Sequence, residues 1–154
     1  MDPRLDAAKA APGAYKAMLG LEVYLSHSSL EKPLVELVKM RASQMNGCAY
    51  CLDMHSKDAR AAGETEQRLY ALNAWRETPF YSERESAALA WTEALTFVHA
   101  NHVPDELFAE TRKHFSETEI TDLTLAVAAI NAWNRIAISF RAVPGSYQPA
   151  KANA

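Results

Sequence analysis

The chain has 154 residues, 49% of them hydrophobic, and a formal net charge of -3, which suits one globular domain with a substantial core. It has no Lys/Arg run and no interleaving of arginine with aromatic residues, so the basic footprint of a nucleic-acid binder is missing. No uninterrupted apolar run approaches the roughly 20 residues that span a bilayer. The first eleven residues carry Asp2, Arg4, Asp6 and Lys9 rather than the apolar region of a signal peptide. The expectation is a cytoplasmic protein with neither nucleic acid nor membrane as partner, in a compartment where structural disulfides are rare.

Apolar residues recur at three- and four-residue spacing, and β-branched alternation is nearly absent, which predicts an all-α, single-domain bundle of about six to seven helices. The first helix runs from about Gly13 to His27 and stops in the polar cluster His27-Ser28-Ser29. Pro33 suits the first turn of a second helix, where its missing N–H has no partner to lose. That helix carries Leu34, Leu37, Val38 and Met45 on one stripe and ends near Asn46-Gly47. The third spans about Cys48 to Gly63 and a short fourth about Glu64 to Trp75, before Thr78-Pro79. Ser82 and Glu85 have capping-box spacing and open a fifth helix, with Ala88, Trp91, Leu95 and Val98 as its stripe. Pro104-Asp105 starts a short sixth that ends near Phe115. Ser116 and Glu119 form a second capping box before a long last helix carrying Ile120, Leu123, Val127 and Ile130 on one face. Pro144-Gly145 closes it, and the tail from Ser146 to Ala154, with little to bury, is expected to be mobile.

At 100° per residue, Cys48, Cys51, Leu52, His55, Ala59 and Ala62 share one face of the third helix, while Asp53, Lys57 and Arg60 take the other. Two thiols and an imidazole therefore stack along the buried stripe. A free thiol, with a pKa near 8.5, needs help to become a thiolate at neutral pH. The positive end of the helix dipole lies beside Cys48 and, less closely, Cys51. His55, four residues after Cys51, can accept its proton directly or through a water. Cysteines three apart at a helix start can also close a disulfide with little backbone movement. That permits a two-electron cycle in which thiolate attacks peroxide, a sulfenic acid forms, and the second thiol displaces water.

Two other readings of the trio stay open at this point. Cys48, Cys51 and His55 could hold zinc, with Asp53, Asp58 or another histidine as fourth ligand, although a second ligand pair is missing. Alternatively the cysteines are inert small hydrophobes and His55 a satisfied core histidine. Covalent haem attachment fails because Leu52 follows Cys51 where that motif needs histidine. His99 and His102 read as complements to a helix dipole, and Trp75, Trp91 and Trp133 as core or interface anchors.

The stretch Arg41-Ala-Ser-Gln-Met-Asn-Gly-Cys-Ala-Tyr-Cys-Leu-Asp-Met-His55 resembles the core of the alkylhydroperoxidase AhpD-like family, within the carboxymuconolactone decarboxylase superfamily. The last helix, Ala129-Ile-Asn-Ala-Trp-Asn-Arg-Ile-Ala-Ile-Ser-Phe140, with Pro144-Gly145 after it, is similar to that family's closing segment, so the likeness covers roughly residues 15 to 147. The family pattern places a glutamate a dozen residues before C-x-x-C-x-x-x-H, and Glu36 matches that position. The resemblance implies an all-helical fold that trimerises, often as a dimer of trimers, and a peroxidase that needs no bound cofactor. By its pattern Cys51 attacks peroxide, Cys48 resolves, His55 relays the proton and Glu36 anchors the relay. It also implies regeneration by an external thiol reductant, a lipoyl-type or thioredoxin-like protein.

One departure stands out: the family's peroxidases carry histidine between the cysteines, and this chain has Tyr50, a poor base at neutral pH. That keeps a general disulfide oxidoreductase with weak peroxidase activity beside the peroxidase reading, and a zinc-stapled binding module beside both. Muconolactone decarboxylation is not expected, since that branch lacks the cysteine pair. The helical phase of Glu36 sets it with Lys39 and Ser43, away from the apolar stripe, so periodicity alone predicts a solvated residue.

Overall fold

The structure, a computed structural model, describes residues 2–149. Its helices, in chain order, are α1 (Ala7–Ala10), α2 (Pro12–Ser26), α3 (Lys32–Asn46), α4 (Ala49–Ala61), α5 (Glu66–Ala71), a 3₁₀ helix (Leu72–Glu77), α6 (Glu83–Thr96), α7 (Val98–Asn101), α8 (Asp105–Arg112) and α9 (Glu117–Phe140). Among the described residues there is no strand, as the spacing of apolar residues predicts.

Local chemistry fixes the boundaries. Ser82–Glu85 and Ser116–Glu119 both form full capping boxes at the starts of α6 and α9. Gly47 ends α3 in the left-handed conformation, φ 67°, where a glycine carries no Cβ penalty. This turn delivers Cys48 directly to the N-cap of α4. Three elements differ from the sequence expectation. Asp6 caps the extra one-turn helix α1, too short to show any periodicity. The expected fourth helix divides into α5 and the 3₁₀ turn, with non-helical geometry at Ala74. The fifth stops at Thr96, which leaves Val98 exposed rather than on the apolar stripe.

α3 is the centre of the bundle, packed against α4, α6 and α9. Leu34 and Val38 join Trp91, Phe115, Leu123 and Val127 in one core cluster, and Leu37 and Met40 join Leu69, Leu72 and Leu89 in another. Fully buried aliphatic side chains such as these stabilise a fold by about 1.5–3 kcal/mol each. By length and composition α9 would suffice to cross a membrane, unlike the expectation from uninterrupted runs. In this bundle its polar residues serve the interior: Asp122 accepts from the Tyr24 hydroxyl at 2.8 Å, and Asn134 donates to Ser43 and accepts from Asn46.

Candidate functional site

α4 presents the site because its N-terminal turn abuts α3 and α9. Cys48 and Cys51 are 1% and 2% exposed and form a disulfide with Cα atoms 5.4 Å apart. Cys48, Cys51, Ala42 and Ile130 form a small core cluster, against which Tyr50, Trp133 and Ala137 pack. The Cys48 sulfur also accepts the Cys51 backbone N–H at 3.4 Å, so it occupies the capping position of the helix. His55 is 5% exposed, and its Nδ1–H donates to Oε2 of Glu36 at 2.9 Å. A carboxylate can only accept, which leaves Nε2 as the nitrogen free for a thiol, a peroxide or a water.

Glu36 is therefore not a solvated residue. Its face of α3 is covered: Lys39 is 8% exposed and Ser43 fully buried. Lys39 pairs with Glu22 of α2 at 2.8 Å, and Glu22 also accepts from the Trp133 indole N–H at 3.0 Å. The wheel misleads here because α3 has neighbours on every side, whereas an amphipathic reading assumes one wet face.

Cys51, His55, Glu36 and Tyr50 line one cavity of about 540 Å³, and Cys48 is not among its lining residues. Tyr15, Leu19, Met54, Trp133, Ile136 and Phe140 give the cavity apolar sides, and residues around α1 cover part of it. Tyr15 and Trp133 meet edge to face with centroids 5.2 Å apart. Another groove of about 570 Å³ between α4 and α5 contains neither cysteine nor His55.

Asp58 and Tyr147 also belong to this site, and the sequence reading missed Tyr147 altogether. Asp58 follows His55 by three residues, so its place at the edge of the same helix face was available as a signal. Its carboxylate, the Glu36 carboxylate and a His55 ring nitrogen lie within 4.8 Å of one another, the group among the described residues that could hold a metal. The Tyr147 hydroxyl donates to Asp58 Oδ1 at 2.7 Å. Burial, then the hydrogen bond and charge of Asp58, push that hydroxyl up to about 12, with smaller contributions from Glu36 and Tyr50. The tail from Ser146, expected to be mobile, is held by α4 at its start: Asp53 accepts the Gly145 N–H just before it at 2.9 Å, and Lys57 donates to the Tyr147 carbonyl at 3.1 Å. Residues 150–154 of the expected mobile tail lie outside the described residues.

A zinc staple on Cys48, Cys51 and His55 would need both sulfurs as thiolates, a state reached only when the Cys48–Cys51 disulfide is open.

The family model described as the carboxymuconolactone decarboxylase family matches residues 10–94, a span that holds Glu36, both cysteines and His55. The uncharacterised protein YdfG of Bacillus subtilis (strain 168) is 48% identical over 139 residues, covering 90% of this chain and 95% of YdfG. Among solved structures, ATU0492 of Agrobacterium tumefaciens superposes with a TM-score of 0.89 at 45% identity, over 97% of this chain and 99% of that one. It is a protein of unknown function with a proposed antioxidant-defence role of the AhpD kind. An uncharacterised peroxidase-related protein of Ralstonia eutropha JMP134, described as an alkylhydroperoxidase AhpD core, superposes with a TM-score of 0.80 at 19% identity, over 91% of this chain and 75% of that one, and shows likeness of fold alone.

Proposed function

The chain belongs to the carboxymuconolactone decarboxylase family, in its AhpD-like branch, and from that premise we propose that it is a thiol-dependent peroxidase working through Cys51 and Cys48. The observation that carries this reading is that Cys51 lines the same cavity as the hydrogen-bonded His55–Glu36 pair.

In the reduced protein, His55 takes the Cys51 proton while Glu36 stabilises the imidazolium. The Cys51 thiolate attacks one peroxide oxygen. The S–O bond forms, the O–O bond breaks, and the departing alkoxide or hydroxide takes the proton from His55. Cys51 is now a sulfenic acid, and Cys48 attacks its sulfur and releases water as the disulfide closes. An external dithiol supplies two electrons and two protons to reopen it. Both sulfurs are nearly inaccessible and Cys51 is reached through the cavity. This favours a thin dithiol arm of the lipoyl kind over the broad face of a thioredoxin-like protein.

We assign the protein to the cytoplasm, as a homo-oligomer of the trimer or hexamer kind. Exposed Leu19, Val23, Tyr24 and Ile138 on α2 and α9 support the assembly.

A second reading, general disulfide oxidoreduction, has a specific support of its own. Cys48 holds the N-cap, where a thiolate is stabilised by the helix end, and Tyr50 supplies no base. Reduced protein mixed with excess hydroperoxide, or with a disulfide of similar size, separates the two. Faster oxidation by the hydroperoxide supports the peroxidase; faster oxidation by the disulfide overturns it.

A further inference from the structure

Asp58 makes no ion pair with Lys, Arg or His among the described residues; its carboxylate accepts a hydrogen bond from the Tyr147 hydroxyl at 2.7 Å. The cations nearby are committed elsewhere. Lys57 pairs with Asp53 at 2.9 Å, and Lys39 with Glu22 at 2.8 Å. A part-buried carboxylate with no cation beside it among the described residues, within 4.8 Å of both Glu36 and His55, can use its charge on the imidazolium form of His55. We propose that Asp58 is a positioning residue of the redox site, a second carboxylate acting through His55, and that Tyr147 of the C-terminal segment holds it in place.

When Cys51 gives up its proton, the imidazole becomes a cation. Glu36 touches that cation at 2.9 Å. Asp58 adds a second attraction within 4.8 Å, in a region where burial weakens solvent screening. Asp58 also repels the Cys51 thiolate, but seven residues of helix separate the two along about 10.5 Å of axis. The nearer attraction outweighs the farther repulsion by about two to one. Glu36 and Asp58, within 4.8 Å of one another, repel when both are ionised, and an imidazolium within the same distance of both relieves that repulsion. Tyr147 takes Oδ1 and so fixes the rotation of the carboxylate. It can do so because Asp53 and Lys57 tie residues 145–147 to the outer face of α4.

This inference rests on His55 activating Cys51, as in the peroxidase reading, and its test separates the two. In a Cys48→Ser background one thiol remains, and its reaction with iodoacetamide at pH 7 reports thiolate formation without any peroxide. Asp58→Asn, which keeps the shape and the Tyr147 contact, is expected to slow alkylation about tenfold, and Asp58→Glu to recover most of that loss. Tyr147→Phe is expected to slow it two- to fivefold, because the charge remains but its orientation is lost. A merely structural role would lower the melting temperature and leave the alkylation rate of the folded protein unchanged. An unchanged or faster rate in folded Asp58→Asn overturns the proposal, and if that variant does not fold, an unchanged rate in Tyr147→Phe does so. If the Cys48→Ser parent alkylates readily but ignores hydroperoxide, the peroxidase reading fails while the alkylation series still decides the role of Asp58.

Discussion

Replacing Glu36 with glutamine removes one charge and almost nothing else. The Oε2 atom stands 2.9 Å from His55 Nδ1, and the two side chains are 19% and 6% exposed. At that separation an effective dielectric constant of about 20 gives a charge–charge attraction of about 6 kcal/mol for the imidazolium state. Glutamine keeps a carbonyl acceptor for the same hydrogen bond, and the open cavity lets water replace part of the lost charge. About 2–3 kcal/mol should remain, a 30- to 150-fold slowing that meets the lower end of the range for acid–base assistance, about 10²–10⁴-fold. Rapid mixing of reduced protein with cumene hydroperoxide, followed by loss of two thiols, measures this as a first-turnover rate. Circular dichroism should show an intact helical fold, since glutamine fits the same space. A first-turnover rate equal to that of the native protein would make Glu36 a satisfied partner of His55 with no part in proton transfer.

Tyr50→His should raise turnover with hydroperoxide several-fold, because an imidazole with a reference pKa of about 6.5 can exchange protons at neutral pH and a phenol at about 10 cannot; steady-state peroxide consumption checks it. Dihydrolipoamide should reduce the disulfide faster than a thioredoxin at equal thiol concentration, given sulfurs only 1% and 2% exposed; the appearance of free thiols measures both rates. Glu119, held down to about 2 first by the Ser116 backbone N–H and then by Ser116 and Arg84, should stabilise the start of α9. Its folded pKa lies below its ordinary value of 4.5, so the contribution is full above that value and disappears as the pH falls towards about 2. Glu119→Gln should cost about 1 kcal/mol in urea unfolding at pH 7, and the gap from the native protein should close on acidification.

The helical class, both capping boxes and the cysteine–histidine face of α4 were legible in the sequence because each is written in local spacing. Glu36 was not legible from periodicity. The face it shares with Lys39 and Ser43 is buried by α2, α4 and α9, and a hydrophobic wheel cannot register burial of a polar face against polar partners. Family resemblance alone drew it into the site. Tyr147 was hidden for another reason: its contact with Asp58 closes 89 residues of intervening chain, and no local pattern encodes it. The tail looked unburied because its anchors are backbone groups, the Gly145 N–H and Tyr147 carbonyl, held by Asp53 and Lys57 on the face of α4 read as solvated. That face is wet in the helix alone and half-covered in the protein.

If Cys51 attacks and Cys48 resolves, two variants must respond differently to peroxide, as Cys51 alone of the pair lines the cavity. Cys48→Ser and Cys51→Ser, each reduced and mixed with one equivalent of hydroperoxide, can be read by intact mass and a sulfenic-acid probe. Cys48→Ser should consume about one equivalent and stop with a single added oxygen on Cys51, since no thiol remains to displace it. Cys51→Ser should gain none, since Cys48 is 1% exposed and does not line the cavity. The added oxygen on Cys48 instead, in the Cys51→Ser variant, would contradict the account and would mean that the helix N-terminus at Cys48 outweighs the His55–Glu36 pair.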